Sequence, residues 1–288
     1  MAGKIEHDSV SGQDTTGHEW DGLRELNTPL PLWWLYTWYA CIAFAAVWVV
    51  LYPALPISGA TGLLGWTARG EMPRITATDR ATREPMLARL RTATPEAIAA
   101  DPALRSYAIA GGRIAFANHC AACHGAGGQG AVGGFPSLAD DDWLWGGELA
   151  DIHSTITHGV RNQDSEEARL SVMPVFGAGI LTAAQITDVA EHVLGLSQRQ
   201  TDAAAASRGQ AVFAENCVSC HGENGQGNPQ FGAPNLGDRI WLHGGERAQI
   251  IAYIANPRMG AMPAFGPRLD PAMVNMLTVY VHTLGGGR

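Results

Sequence analysis

Two pentads, Cys120-Ala-Ala-Cys123-His124 and Cys217-Val-Ser-Cys220-His221, constrain this 288-residue chain most, because each sits at the same place in a repeated segment. Residues 112–125 lie over 209–222, 134–138 over 232–236, 145–147 over 243–245, and 172–177 over 261–266. Self-similarity of this kind marks two copies of one unit. Both copies read as helical. In the first, Thr182 and Gln185 form a capping box ahead of an apolar stripe of Ile186, Val189, Ala190, Val193 and Leu194. In the second, Asp270 caps a helix whose first position is Pro271, and Met273, Met276, Leu277, Tyr280 and Val281 make the same stripe. A short Ala-rich helix leads into each Cys pair, and the repeats show no strand pattern. Units this small bury little surface by themselves, so a large apolar group at the centre of each would complete its core.

C-x-x-C-H supplies such a group. Two thiols three residues apart match the two vinyls of haem, to which they add as thioethers, and the following His falls beneath the iron. A redox C-x-x-C expects a βαβ context that is missing here. A zinc site would need all four thiols in one place, yet the pairs are nearly a hundred residues apart in separate repeats. The sequence therefore predicts two covalently bound haem c groups, on Cys120 and Cys123 and on Cys217 and Cys220, with His124 and His221 as proximal ligands. For the sixth position, Met173 and Met262 each stand in a Met-Pro-x-Phe-Gly run at matching places. A thioether favours ferrous iron and raises the potential. Met259 is the nearest rival but lacks the Met-Pro context. His119, His153, His158, His192, His243 and His282 have no counterpart across the repeats and read as surface or haem-edge residues.

Ahead of the repeats, residues 32–55 carry no charge and are long enough to span a bilayer as a helix. Trp33, Trp34, Tyr36, Trp38 and Tyr39 cluster at its start, with Trp48 and Tyr52 near its end, as suits the two water–lipid interfaces. The run begins some thirty residues in, follows an acidic segment and lacks an A-x-A-like site, so it reads as an uncleaved anchor and not as a signal peptide. Cys41 within it reads as a small packing residue. The expected order is a cytoplasmic segment at 1–30, an anchor at 31–56, a linker with one short helix at 57–105, and repeats at 106–197 and 205–288. Lys and Arg are more numerous after the span than before it, which by the positive-inside rule would leave the repeats in the cytoplasm. Haem attachment to C-x-x-C-H takes place outside the bacterial cytoplasm and outranks that count, because long translocated domains escape the rule.

The repeats resemble class I cytochrome c. The whole chain resembles the dihaem P subunits (CcoP or FixP) of cbb3-type cytochrome c oxidases, on the segment 21–35 with its Pro31-Leu-Trp33-Trp34, Leu64-Gly-Trp66, Asp140-Asp-Asp-Trp143-Leu-Trp145-Gly-Gly147, Thr157-His-Gly-Val-Arg161 and the two Met-Pro runs. Some members of that family look to have two spans; this chain has one. The resemblance implies an all-α fold, with one transmembrane helix followed by two tandem class I cytochrome c domains in the periplasm, single-pass in the bacterial inner membrane. It implies electron delivery from a soluble cytochrome c or a membrane cytochrome, through a monohaem subunit, to the haem–copper catalytic subunit that reduces oxygen to water while protons are pumped. It implies that the carbonyls of Pro136 and Pro234 accept the Nδ1–H of the haem His. It also implies crossed ligation, with Met262 serving the first haem and Met173 the second.

Two readings compete. A dihaem subunit of another periplasmic system, such as an alcohol dehydrogenase or a denitrification reductase, would share every haem residue. A dihaem peroxidase would need an open sixth position, against which two symmetric Met-Pro runs argue. A net charge of −8, with a single Lys, argues against nucleic acid as a partner. The charge is uneven: residues 106–197 carry ten acidic and three basic side chains, and 205–288 carry five and six. That imbalance has three readings: steering of a basic electron donor toward the first repeat, through acids such as Asp164, Glu166 and Glu167, solubility of an exposed domain, or docking on a basic patch of a neighbouring subunit.

Overall fold

The computed structural model describes residues 4–52, 62–131, 133–199 and 201–285. It divides into two compact units, Met1–Thr82 and Arg83–Arg288.

In the first unit, a three-stranded antiparallel sheet, β1 (His7–Asp8), β2 (Gln13–Trp20) and β3 (Leu23–Leu26), precedes the apolar helix. Asp21 and Gly22 turn β2 into β3 with φ of 48° and 86°. Positive φ at both central residues is the two-residue turn whose twist matches a hairpin, and Asp-Gly is among the pairs that adopt it. The sheet lies ahead of the anchor, and every named element after it is helical, as the all-α expectation has it. Helix α1 (Leu32–Leu51) has 20 residues and no buried side chain. At 1.5 Å per residue its length is about 30 Å, the thickness of a bilayer's hydrocarbon core. Along it, Trp34 stacks on Trp38, with ring centroids 6.5 Å apart, and Trp48 stacks on Tyr52 at 4.3 Å. The end expected for the anchor, 53–56, and the first residues of the expected linker, 57–61, lie outside the described residues.

The rest of that expected linker is helical. Helix α2 (Ala68–Thr92) is polar and exposed over most of its length. Its last turns belong to the second unit, where Leu90 is fully buried. Helix α3 (Pro95–Ala100) follows, capped by Thr94, and then α4 (Pro102–His119), where the Asp101 carboxylate accepts from the N–H groups of Ala103 and Leu104. Beyond these come α5 (Ala121–His124), α6 (Leu149–His158), a single 3-10 turn at Phe176–Ala178, α7 (Ala183–Leu196), α8 (Ala203–Asn216), α9 (Val218–His221), α10 (Arg247–Ala255) and α11 (Pro271–His282).

The repeats do not each close on themselves. Helix α4 of the first repeat lies along α11 of the second, which also packs on α6, while α7 of the first repeat lies along α8 and α10 of the second. Two cores result. One joins Phe176, Ile186, Val189, Val193 and Leu194 to Phe213, Ile250 and Ile254. The other joins Phe116, Ile152 and Ile156 to Val274, Leu277 and Val281. The end of α2 is tied to the same last helix, since buried Asn275 donates from Nδ2 to the Leu90 carbonyl at 2.7 Å and Arg91 pairs with Asp270 at 3.0 Å.

The α4–α11 and α7–α8 crossings each rest on a glycine. A Cβ on Gly112 of α4 would strike the Met276 carbonyl oxygen of α11, and one on Gly209 of α8 would strike the Asp188 carbonyl oxygen of α7. Both obstacles are backbone and cannot swing away. Gly112→Val or Gly209→Val is expected to cost roughly 3 kcal/mol by overpacking, lowering the melting temperature of a unit this size by about 6–12 °C. Gly111→Ala meets only the flexible end of Met276, so its loss should be clearly smaller. Thermal melts of the three variants, followed by circular dichroism, check the order.

Candidate haem sites

Both Cys pairs sit on one repeated scaffold. In the first, the N–H groups of Cys123 and His124 donate to the Cys120 carbonyl at 3.1 and 2.9 Å, closing the single turn of α5. In the second, Cys220 and His221 do the same to Cys217 at 3.1 and 2.9 Å. A glycine in left-handed backbone follows each His, Gly125 at φ 78° and Gly222 at φ 79°, and turns the chain out of the helix. The returning loops then place a proline carbonyl on each imidazole. His124 Nδ1 lies 3.0 Å from the Pro136 oxygen, and His221 Nδ1 lies 3.1 Å from the Pro234 oxygen. Only a protonated Nδ1 can donate to a carbonyl, which leaves Nε2 as the lone-pair nitrogen on each ring. Burial also lowers the affinity of His221 for a second proton, keeping that ring neutral as ligation requires.

The first thiol of each pair is not tuned for redox exchange. Burial, with the neighbouring Cys as a smaller influence, pushes Cys120 and Cys217 each up to about 11. A reactive dithiol needs the opposite shift.

The two methionines part company with their own repeats. Met262, of the second repeat, packs in the apolar cluster that contains Phe116, Cys120, Ala121 and Trp143. Met173, of the first repeat, packs in the cluster that contains Phe213, Cys217, Val218 and Trp241. Backbone pairing fixes the first arrangement: Val160 and Met262 exchange N–H···O bonds at 3.0 and 2.9 Å, and Phe265 N–H donates to the Ile156 carbonyl at 3.0 Å. The rival Met259 serves Met173 itself, its sulfur accepting the Met173 N–H at 3.1 Å. Of the unmatched histidines, His119 is exposed, His192 lies against Phe213 and His243 stacks on Tyr253 at 4.4 Å.

The residues fit a haem. Each His offers a free Nε2, each Cys pair flanks it on one helical turn, and each cluster brings one thioether. In the first cluster the Trp143 Nε1–H is buried without a partner among the described residues, a donor that a carboxylate of a bound haem would satisfy.

Three of the ten acids of the first repeat pair with arginines of the second. Asp164 pairs with Arg268 at 2.7 Å, Asp188 with Arg208 at 2.6 Å and Glu191 with Arg247 at 2.8 Å, each partner coming from the second repeat. Glu167 faces His158 at 3.4 Å. Among the described residues, Asp140, Asp141 and Asp142 have no ion-pair partner. Burial, then Asp238, then Asp140 push Asp142 up to about 6. With those three pairs set aside, the first repeat keeps seven acids against three bases and the second keeps five against three, so the first remains the more acidic. Sequence reasoning also gave no role to Arg161 and Asn162, on a segment that the second repeat lacks: 25 positions separate Glu148 from Met173, but 16 separate Glu246 from Met262.

Comparison with known proteins agrees with this architecture. Residues 12–59 match the N-terminal domain of cytochrome oxidase-cbb3, FixP; residues 109–197 match cytochrome c; residues 204–281 match cytochrome c oxidase, cbb3-type, subunit III. The chain is 51% identical to the cbb3-type cytochrome c oxidase subunit CcoP of Azospirillum brasilense, over 98% of this chain and 99% of that one. It is 50% identical to subunit FixP of Azorhizobium caulinodans, over 98% and 96%, and 47% identical to CcoP of Cereibacter sphaeroides, over 95% of each. Identity at this level over the whole length, with an N-terminal anchor and two cytochrome c domains in the same order, means that the chain belongs to the CcoP/FixP family of membrane-anchored cytochrome c subunits of cbb3-type oxidases.

Proposed function

We propose that the chain carries two covalent haem c groups with exchanged methionines. One haem is held by Cys120 and Cys123, with His124 and Met262 toward its iron. The other is held by Cys217 and Cys220, with His221 and Met173. Bound there, each haem supplies a one-electron ferric–ferrous couple. The protein's share is to hold the imidazoles by the Pro136 and Pro234 carbonyls, to bring a soft sulfur to the opposite side, and to keep water from both. The observation that carries this reading is the placement of each methionine in the apolar cluster of the other repeat's Cys pair. With a sulfur provided for each haem, an electron carrier is favoured over a peroxidase.

As a subunit of a cbb3-type oxidase, the chain transfers electrons for oxygen reduction. Its haem units lie in the periplasm and are held at the inner membrane by α1. They pass electrons from a soluble cytochrome c or a membrane cytochrome toward the monohaem subunit and the haem–copper catalytic subunit. Purification of the tagged full chain from detergent-solubilised membranes tests this. The expected result is copurification of large polytopic chains carrying b-type haem and copper, with oxygen uptake on addition of reduced cytochrome c. Copurification of a soluble dehydrogenase, without b haem or copper, would overturn it.

A further inference from the structure

Arg161 lies on the segment that only the first repeat has, between the two methionine loops. Its backbone is left-handed, with φ 48°, an uncommon conformation for a side chain of this size. Pairing of its N–H with the Arg169 carbonyl at 2.8 Å holds it there. Its guanidinium then reaches in two directions. Nε donates to the Gly260 carbonyl at 2.8 Å, and Nη1 donates to the Ser171 carbonyl at 3.0 Å. Gly260 stands two residues before Met262, and Ser171 stands two residues before Met173. The guanidinium carbon is also 5.8 Å from the centre of the Trp145 ring, and burial draws the group below its ordinary pKa. Next to it, Asn162 Nδ2 donates to the Met262 carbonyl at 2.9 Å and to the His158 carbonyl at 3.0 Å. Asn162 therefore touches one methionine loop, whereas Arg161 touches both.

Resting on the ligand reading above, we propose that Arg161 is a positioning residue that holds both methionine loops in one hydrogen-bonded clamp and thereby couples the two haem sites. Charge-assisted bonds to carbonyls are roughly twice as strong as neutral ones, and the planar fork spaces two donors in a way a point-charge ammonium does not. Removing the guanidinium leaves one carbonyl in each loop without that donor, the exposed Gly260 oxygen and the half-buried Ser171 oxygen. Both loops should loosen together, although neither belongs to the same haem.

The test uses the full-length holoprotein with all four haem cysteines intact. Covalent haem per chain and far-ultraviolet circular dichroism serve as controls for folding. Arg161→Gln should remove the far-red methionine-to-iron absorbance of both ferric haems, lower both midpoint potentials in a redox titration, and admit carbon monoxide to both ferrous haems. Arg161→Lys should behave like Arg161→Gln, because charge is kept and the fork is lost; this variant carries the test if Arg161→Gln fails to fold. Asn162→Ala should affect only one haem. If Arg161→Gln and Arg161→Lys leave both far-red signatures and both potentials unchanged, or disturb only one haem, the clamp is wrong while methionine ligation stands. If the unmodified protein has no far-red band, the ligand reading fails first, and with it the basis for the clamp.

Discussion

Changing Cys120 and Cys123 to Ala should leave a chain with half its covalent haem, and changing Cys217 and Cys220 as well should leave none. The measure is haem that stays with the polypeptide after acid and detergent denaturation, quantified per chain. Thioether bonds survive that treatment, whereas axial coordination through His124 and Met262 does not. The structural effect should exceed the loss of one cofactor. The first Cys pair sits in a core built from α4, α6 and α11, and the second in a core built from α7, α8 and α10. Helices of both repeats enter each core, so an empty first site should also loosen the second and lower its melting temperature. Full haem retention by either double variant would contradict thioether attachment at that pair.

Local features of this fold were legible in the sequence. The capping box of Thr182 and Gln185 forms as read, with the Thr182 side chain accepting from the Gln185 N–H. Asp270 caps α11 and Pro271 opens it. The stripe Ile186, Val189, Ala190, Val193 and Leu194 is buried in full. Such features depend on residues within two helical turns, and their chemistry is the same wherever the helix goes. Periodicity says which face of a helix is apolar but not which helix will cover it. Nothing local in α7 distinguishes α4 from α8 as its partner, so the exchange between repeats came only from the family resemblance. The small sheet was a different kind of omission. Asp21-Gly22 is a strong turn signal, but the strands beside it are short and charged and do not alternate cleanly. Helix α2 has no apolar stripe over most of its length, and that stretch is exposed among the described residues. Summed charge could not show which acids are paired, for a related reason: Arg208, Arg247 and Arg268 meet three acids of the first repeat only after folding.

The exchanged ligation proposed above has the second large consequence. Met262→His should lower the potential of the haem on Cys120 and Cys123, and Met173→His that of the haem on Cys217 and Cys220, since axial ligands set haem potentials over a range of roughly 0.8 V and replacing a thioether by imidazole withdraws the preference for ferrous iron. Each substitution should move one potential strongly and the other weakly, and the affected haem is the one attached in the other repeat.

Chains with a single haem make that assignment direct. With Cys217 and Cys220 changed to Ala, the remaining haem sits on Cys120 and Cys123, and the far-red absorbance of the oxidised protein reports its methionine. Adding Met262→Ala should abolish that band, and adding Met173→Ala should leave it. The reverse outcome, with the band lost on removing Met173 and kept on removing Met262, would contradict the exchanged arrangement and return each haem to the methionine of its own repeat.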